Sequence, residues 1–467
     1  VRAVVMDRIG KPVVVREVAD PVAPAGGVVV RVHATGLCRS DWHAWAGHDD
    51  VALPHVPGHE LAGVVVEVGA GVERWAVGDR VTVPFVCGCG RCAYCRSGNA
   101  QVCPEQEQPG FTHWGSFAEL VALHAADTNL VAVPDGVSFT AAASLGCRFA
   151  TAFRALTGRA RLEAGEWLTV VGAGGVGLSA VMIAKALGAR VVAVDRHQRA
   201  LDAALALGAD AVLLAETDAG TGADGGTGTG TGTGTGGGAG TGGGAGTDGG
   251  AGTGGGAGTD GGTGTDGGTG GGAGTVPVAG AETGTALSAV PGAGAGPAPG
   301  AGTGTAPGAG GGPASGPDAG AVPGTAAATA ALARPVPSAG IPARVHALTG
   351  GGSHVAVDAV GSEQTCADAV LSLRRRGRHV QVGLLPPVGG HPRVPMARVI
   401  AWELDLLGSH GMAAADYPAM LALIADGALD PERLVERVVG LEEAAALLPV
   451  FDRASPAGMT MIDPLRG

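Results

Sequence analysis

Residues 167–184 read WLTVVGAGGVGLSAVMIA, and the fold follows from how this run divides. It is uncharged and long enough to raise the question of a membrane span. Its four glycines, all before Leu178, instead divide it into a strand over Leu168–Val171, a turn, and a helix over Val176–Leu187. Asp195 ends the next strand, 18 residues past Gly177. In that context the turn, Gly172-Ala-Gly174-Gly175-Val176-Gly177, is a dinucleotide-binding fingerprint, because its glycines let backbone approach a pyrophosphate at a helix N-terminus. Asp195 would accept hydrogen bonds from the adenosine ribose and repel a 2′-phosphate, favouring NAD over NADP, while the adjacent Arg196 pulls the other way.

Outward from this run the pattern continues with a strand (Arg190–Val194), a helix (Gln198–Leu207) and a strand (Ala211–Leu214). After a long interruption it resumes with a helix (Pro342–Leu348), a strand (His354–Val357), a helix (Cys366–Leu373), a strand (Arg378–Val382) and a sixth strand (Leu404–Leu407). Alternating strands and helices imply a parallel sheet with right-handed crossovers, an α/β fold. The arginines 374–376 read as a solvated helix end, where positive charge suits the dipole. Before residue 147 the chain reads as short strands, Val28–Val32, Gly63–Val68, Arg80–Val83 and Phe117–Val121, punctuated by Gly and Pro. From Pro418 onward, helices over Ala419–Ala425 and Leu441–Leu448 lead to a last strand, Met459–Ile462.

The interruption is compositional. Of 87 glycines in 467 residues, 48 fall within 217–340, a block of mostly Gly, Thr, Ala and Pro without an aromatic residue. Such a segment cannot bury enough apolar area to offset chain entropy, so we expect a disordered low-complexity insertion. Closing a loop of that length costs only about 2–3 kcal/mol more than a short one. GGAGTD at 243–248 and 255–260 and GGTGTD at 261–266 match half of a calcium-binding nonapeptide, but Gly250, Gly262 and Gly268 stand where a large apolar residue is needed. Simple repeat expansion explains them better.

Net charge is −12, and the block carries half of it. Neither part is basic, which argues against nucleic acid or an anionic membrane as partner. No basic-plus-apolar leader precedes a small-residue cleavage site, so we expect a cytoplasmic protein, and Val1 reads as a GTG start codon translated literally.

Five of the eight cysteines crowd into 87–103. Cys89, Cys92, Cys95 and Cys103 have the spacing of four thiolates around one Zn²⁺, a closed and therefore structural site. Disulfides would need an oxidising compartment that nothing here indicates. Cys87 is the odd thiol of the loop, and Cys366 reads as a buried core thiol on a helix. Cys38 in GLCRSDWH, His59 in PGHE and Cys147 in SLGCRFAT are individually unremarkable. Together they offer two thiolates and one imidazole with a fourth position free, the pattern of a catalytic zinc site. Such a site lowers the pKa of a bound alcohol as it does that of water.

With these segments in this order, the chain resembles the zinc-dependent alcohol dehydrogenases of the medium-chain dehydrogenase/reductase superfamily, over nearly all residues outside the Gly-rich block. The resemblance implies a GroES-like catalytic domain from residues 1–147 and 408–467, a Rossmann domain from 148–216 and 341–407, and an insertion over 217–340 foreign to the family. It implies Cys38, His59 and Cys147 as catalytic zinc ligands, with Glu60 as an acidic neighbour able to approach the metal and Asp41 as the carboxylate orienting His59. It implies Ser40 as the hydroxyl that takes the alcohol proton and His43 as the group that passes it to solvent through the cofactor ribose. It further implies Arg39 as a pyrophosphate contact, Thr151 as a residue at the nicotinamide, and Phe85 in the substrate pocket. Trp42, Trp45, Phe111, Trp114 and Phe149 are core or pocket, and Trp42 and Trp45, flanking the ligand loop, suggest pocket. The last strand, AGMTMID, lacks the basic residue many relatives place there for the pyrophosphate, which shifts that duty to Arg39.

The expected activity is reversible hydride transfer between a primary or secondary alcohol and NAD⁺, giving aldehyde or ketone and NADH, with two zinc ions per chain. A polyol or amino-alcohol substrate on the same scaffold is the alternative within this class. A zinc-free reductase or a relic binding protein fits less well, since the three ligands and Ser40 are intact. The family forms dimers and tetramers, so a homo-oligomer is expected.

Overall fold

A computed structural model describes residues 1–215, 340–385, 390–453 and 458–466. The expected 217–340 insertion, with its calcium-binding alternative, lies outside the described residues apart from Gly340.

The run at 167–184 divides into strand β1 (Trp167–Val171), the glycine turn and helix α1 (Gly175–Ala186). Strand β2 (Arg190–Asp195), helix α2 (Gln198–Ala206) and strand β3 (Ala211–Leu214) follow. The chain returns with helix α3 (Ile341–Thr349), strand β4 (Ser353–Asp358), helix α4 (Glu363–Leu371), strand β5 (Leu373–Gln381), helix α5 (Met396–Trp402) and strand β6 (Asp405–Gly408). The six strands form one sheet in the order β3-β2-β1-β4-β5-β6, with every pairing parallel. The order reverses between β1 and β4, where the carboxyl ends of the strands leave a crevice for a ligand.

The glycine turn sits at that reversal. Gly172 has φ 93°, and a Cβ on it would lie 2.4 Å from Val360 just past β4. A Cβ on Gly177 would lie 1.8 Å from the Gly172 carbonyl oxygen, so only glycine lets α1 pack this closely. The apolar run is explained by burial rather than by lipid. Leu178, Val181 and Ile183 are buried between the sheet and the helical stretch 139–159, each contributing about 1.5–3 kcal/mol. Among the described residues no helix is long and apolar enough to cross a membrane.

The Gly-rich block splits one sheet. Ala215 and Ile341 pack in the same small cluster with Val192, Val194, Leu213 and Val345, and Arg344 Nη1 donates to the Leu214 carbonyl at 2.9 Å.

The second half of this sheet departs from expectation in its boundaries. Helix α4 starts at Glu363 because Ser362 and Thr365 cap each other: Ser362 Oγ accepts from the Thr365 N–H at 3.1 Å, and Thr365 Oγ1 accepts from the Ser362 N–H at 2.9 Å. It also ends earlier, at Leu371, so Arg374, Arg375 and Arg376 do not terminate a helix. They form the exposed, irregular start of β5, with Arg376 at φ 60°. Arg374 pairs with His354 and the Arg375 guanidinium lies 5.0 Å over the Trp402 ring, so side-chain partners rather than a helix dipole hold them.

Arg2–Val5 and Val14–Glu17 form a two-stranded sheet, and a separate seven-stranded sheet joins strands from residues 28–132 to two from residues 435–462. Its order is Val435–Val439, Met459–Ile462, Val28–Leu37, Leu61–Val68, Arg80–Thr82 and Val131–Ala132, with Leu120–Leu123 also pairing with Val28–Leu37. The strand expected at Phe117–Val121 thus lies at Leu120–Leu123, and Val435–Val439 was not expected at all. Met459–Ile462 runs antiparallel to Thr35–Leu37 and braces the residues leading into Cys38.

Candidate active site

Cys38 stands where strand Val28–Leu37 passes into helix Arg39–Ala46, as the N-cap of that helix. Asp41, one turn in and 1% exposed, reaches back to accept from the Cys38 N–H at 2.9 Å. Its other oxygen accepts from the Gly58 N–H at 3.1 Å and from His59 Nδ1 at 3.0 Å. One carboxylate therefore joins two chain segments and fixes the His59 tautomer, with Nδ1 protonated toward Asp41. His59 Nε2 is turned the other way, buried and without a hydrogen-bond partner.

The third segment is helical. Residues Phe139–Ser144 are α-helix, Leu145–Phe149 widen into a π-type turn, and Ala150–Arg154 resume the helix. Such a wide turn re-aims side chains, and it carries Cys147 and Arg148. Buried Tyr417 pins it, its hydroxyl donating to the Leu145 carbonyl at 3.0 Å. The result brings ligand atoms of Cys38, His59, Glu60 and Cys147 within 4.8 Å of one another.

The electrostatics suit a cation. Cys38 lies well below the ordinary thiol range because its sulfur accepts a hydrogen bond from the Cys147 thiol, and the same bond pushes Cys147 well up. Burial opposes charge on His59, but Asp41 outweighs it and holds the imidazole well above its ordinary value. Glu60, fully buried, is raised by burial and opposed by the Arg148 charge. An orphaned imidazole nitrogen facing two sulfurs is a donor set that fits Zn²⁺.

Ser40 Oγ lies 3.9 Å from Cys38 Sγ. His43 stands three residues along the same helix, and its Nδ1 is 2.8 Å from Nδ1 of exposed His48. No hydrogen bond joins Ser40 to His43 among the described residues. Burial, with Arg39 and His48 nearby, lowers the His43 pKa. Arg39 is exposed, its guanidinium 5.5 Å from the Trp42 ring centroid. Trp42 and Trp45 pack against the apolar cluster of Leu37, Val56 and Leu448. The aromatics near His59 are Phe85, at 6.1 Å between ring centroids, and Phe111, at 5.2 Å. His410 meets Phe85 from the other side at 5.3 Å.

At the glycine turn, Asp195 ends β2 and accepts from the Ala173 N–H at 2.7 Å and the His197 N–H at 2.8 Å. Gly174 faces open space, as a close approach to a ligand requires. Thr151 is buried in the helix that packs on α1, and Arg196 is exposed with Nε donating to His197 Nε2 at 3.0 Å. Two cavities, of about 320 Å³ beside Leu207 and about 240 Å³ beside Val18, include no residue of either thiolate group.

Cys89, Cys92, Cys95 and Cys103 form a second group, also within 4.8 Å. The Cys92 and Cys95 sulfurs are 3.4 Å apart, and backbone N–H groups of Cys89 and Glu105 donate to Cys103 Sγ at 3.4 and 3.3 Å. All eight cysteines are free thiols. Asn129 ties the loop to the core, accepting from the Gly88 N–H at 2.8 Å and donating to its carbonyl at 2.9 Å. Cys87 is buried apart from this group, 3.5 Å from the Pro84 carbonyl, and Cys366 is buried on α4.

Two residues were missed by sequence reasoning. Arg148 is buried against Glu60, and a charged residue inside the otherwise uncharged stretch Ala141–Phe153 was the available signal. His48 was visible only as a second histidine near His43.

The profile of the alcohol dehydrogenase GroES-like domain matches residues 24–135, and that of the zinc-binding dehydrogenases matches 175–230 and 327–426. An alcohol dehydrogenase of Geobacillus stearothermophilus is 42% identical over 217 residues, 45% of this chain and 63% of that protein. The match thus spans less than two thirds of the relative. Among solved structures, an alcohol dehydrogenase from Thermus sp. ATN1 superposes with TM-score 0.67 at 24% identity, over 99% of each chain. A cobalt- and zinc-bound alcohol dehydrogenase from Pyrobaculum aerophilum gives 0.64 at 22%, again over 99% of each. At that identity the structural likeness shows the fold.

Proposed function

Because the chain belongs to the zinc-type alcohol dehydrogenase family of the medium-chain dehydrogenase/reductase superfamily, we propose that it catalyses reversible hydride transfer between a primary or secondary alcohol and NAD⁺, giving an aldehyde or ketone and NADH. The observation that carries this proposal is the convergence of Cys38, His59 and Cys147 with a buried imidazole nitrogen left unpartnered. Cys38, His59 and Cys147 would hold a catalytic Zn²⁺, and Cys89, Cys92, Cys95 and Cys103 a structural one. The metal would polarise the alcohol oxygen, and the nicotinamide would accept the hydride.

The chain's own residues do the rest. Asp41 holds the His59 ring in its ligating tautomer. Ser40 accepts the alcohol proton. His43, kept neutral by its lowered pKa, takes the proton onward, and His48 at 2.8 Å offers it a route to solvent. Phe85 and Phe111 give an apolar wall next to the reacting carbon. Asp195 binds the adenosine ribose and, with its negative charge, favours NAD; Gly174 lets the pyrophosphate approach, and Arg39 adds a positive charge. Thr151 completes the nicotinamide side.

The test is zinc stoichiometry together with a substrate panel. Two zinc ions per chain and alcohol-dependent NADH formation support the proposal. One zinc or none, with no turnover on primary, secondary, polyol or amino alcohols, refutes it.

A further inference from the structure

Four candidate donors, not three, meet at the Cys38/His59/Cys147 centre, since a Glu60 carboxylate oxygen also lies within 4.8 Å of the other three donor atoms. Four protein donors close a tetrahedral shell, the arrangement of a structural site; three with one position open is what catalysis needs. The chemistry of the centre therefore turns on Glu60.

Glu60 is fully buried and engaged on both oxygens. Oε1 accepts from the Arg148 N–H at 3.0 Å and from Arg148 Nε at 2.9 Å. Oε2 accepts from Nε at 3.1 Å and from Nη2. Arg148 is itself 5% exposed, on the π-type turn directly after Cys147. The surrounding sequence makes room for this pair on two sides. A Cβ on Gly36 would lie 2.0 Å from Glu60 Oε2 and 2.7 Å from Arg148 Nη2. A Cβ on Gly175, at the start of α1, would lie 2.5 Å from Arg148 Cδ. The charges also balance. Two thiolates and one carboxylate offset a divalent metal and one guanidinium. Were Glu60 to turn onto the metal, the buried guanidinium would lose its partner.

We propose that Arg148 is a positioning residue that holds Glu60 out of the metal's coordination shell and so keeps the fourth position at the Cys38/His59/Cys147 centre open to substrate. The proposal rests on the zinc-centre reading above. Because the Arg148 stem lies against Gly175, the same side chain also links this centre to the dinucleotide turn.

The test uses full-length protein with Co²⁺ in place of the catalytic metal, and imidazole as the probe of the open position, read from the visible Co²⁺ bands. In the native protein imidazole should bind and shift the bands. Arg148→Gln should free Glu60 to coordinate, alter the bands before any imidazole is added, and weaken imidazole binding by about tenfold or more. Glu60→Gln in the Arg148→Gln background should restore both. Arg148→Lys, which keeps the charge but cannot grip both carboxylate oxygens, should fall between. A single Glu60→Gln variant that binds imidazole tenfold tighter would show Glu60 to be a ligand already and overturn the proposal. So would Arg148→Gln spectra that match the native ones, or a change that Glu60→Gln does not reverse, since a merely structural role of Arg148 would behave that way. If native protein gives thiolate–Co²⁺ bands that ignore imidazole, the open position itself is absent and both this proposal and the proposed function fall. A native response without the variant effects overturns only the role of Arg148.

Discussion

Replacing Asp41 by Asn probes the joint on which the Cys38/His59/Cys147 site depends. The carboxylate accepts three hydrogen bonds, from the Cys38 N–H, the Gly58 N–H and His59 Nδ1, at 2.9, 3.1 and 3.0 Å. An amide of the same shape has one acceptor oxygen. If that oxygen takes the position facing Gly58 and His59, the NH₂ meets the Cys38 N–H. If it faces Cys38, the NH₂ meets the other two donors, and His59 must move its proton to Nε2, which blocks ligation. Either orientation leaves at least one buried donor unsatisfied, costing about 1–3 kcal/mol of stability. Loss of the ring's orienting partner should weaken metal binding at this site by about 10–100-fold. The assay is zinc competition against a chromophoric chelator, with thermal unfolding in parallel. One zinc per chain should become easily removed while the other stays. Unchanged affinity at both sites, or equal weakening of both, would show that Asp41 does not orient His59.

Cys147→Ala should abolish turnover while the Cys89/Cys92/Cys95/Cys103 group keeps its ion; loss of both ions would show that the two sites are not independent. Asp195→Gly should raise the use of NADP relative to NAD by about tenfold, and, because Asp195 also accepts from the Ala173 N–H, should raise the KM for both cofactors; an unchanged ratio would point to Arg196. Cys89 is held at about 7 by backbone N–H groups of Arg91 and Cys92, whereas burial pushes Cys95 up to about 12. After zinc removal at pH 7.5, iodoacetamide should therefore label Cys89 first, as peptide mass spectrometry would report, and preferential labelling of Cys95 would contradict the hydrogen bonding described. Joining Ala215 to Gly340 through a short Gly/Ser linker should leave turnover within about threefold, since shortening the loop changes closure entropy by only about 2–3 kcal/mol; a collapse of activity with the fold intact would give the insertion a function.

What could be read from the sequence depended on how local each signal was. The turn at 172–177 was legible because its glycines answer steric demands at fixed spacing: Gly177 against the Gly172 carbonyl, Gly172 against Val360. The Cys89–Cys103 loop was legible because all four sulfurs lie within one short segment. Cys38, His59 and Cys147 are spread over more than a hundred residues, and no periodicity joins them; they could be grouped only by matching several motifs together. The Glu60–Arg148 pair left no such mark, because a contact between residues 88 apart is made by the π-type turn and by room at Gly36 and Gly175. The arginines at 374–376 were misassigned because propensity extends a helix that its own cap starts early and that ends at Leu371. The strand Val435–Val439 shows no clean alternation, and its parallel partner lies twenty residues further on.

The most direct measurement is zinc K-edge X-ray absorption on the fully zinc-loaded protein. One site offers four sulfurs and the other two, so the averaged shell should hold about three sulfur and one nitrogen or oxygen neighbour per zinc. A shell of four sulfurs with a single zinc per chain would mean that Cys38, His59 and Cys147 share no ion, and the proposed oxidation of alcohols would have no metal to act through.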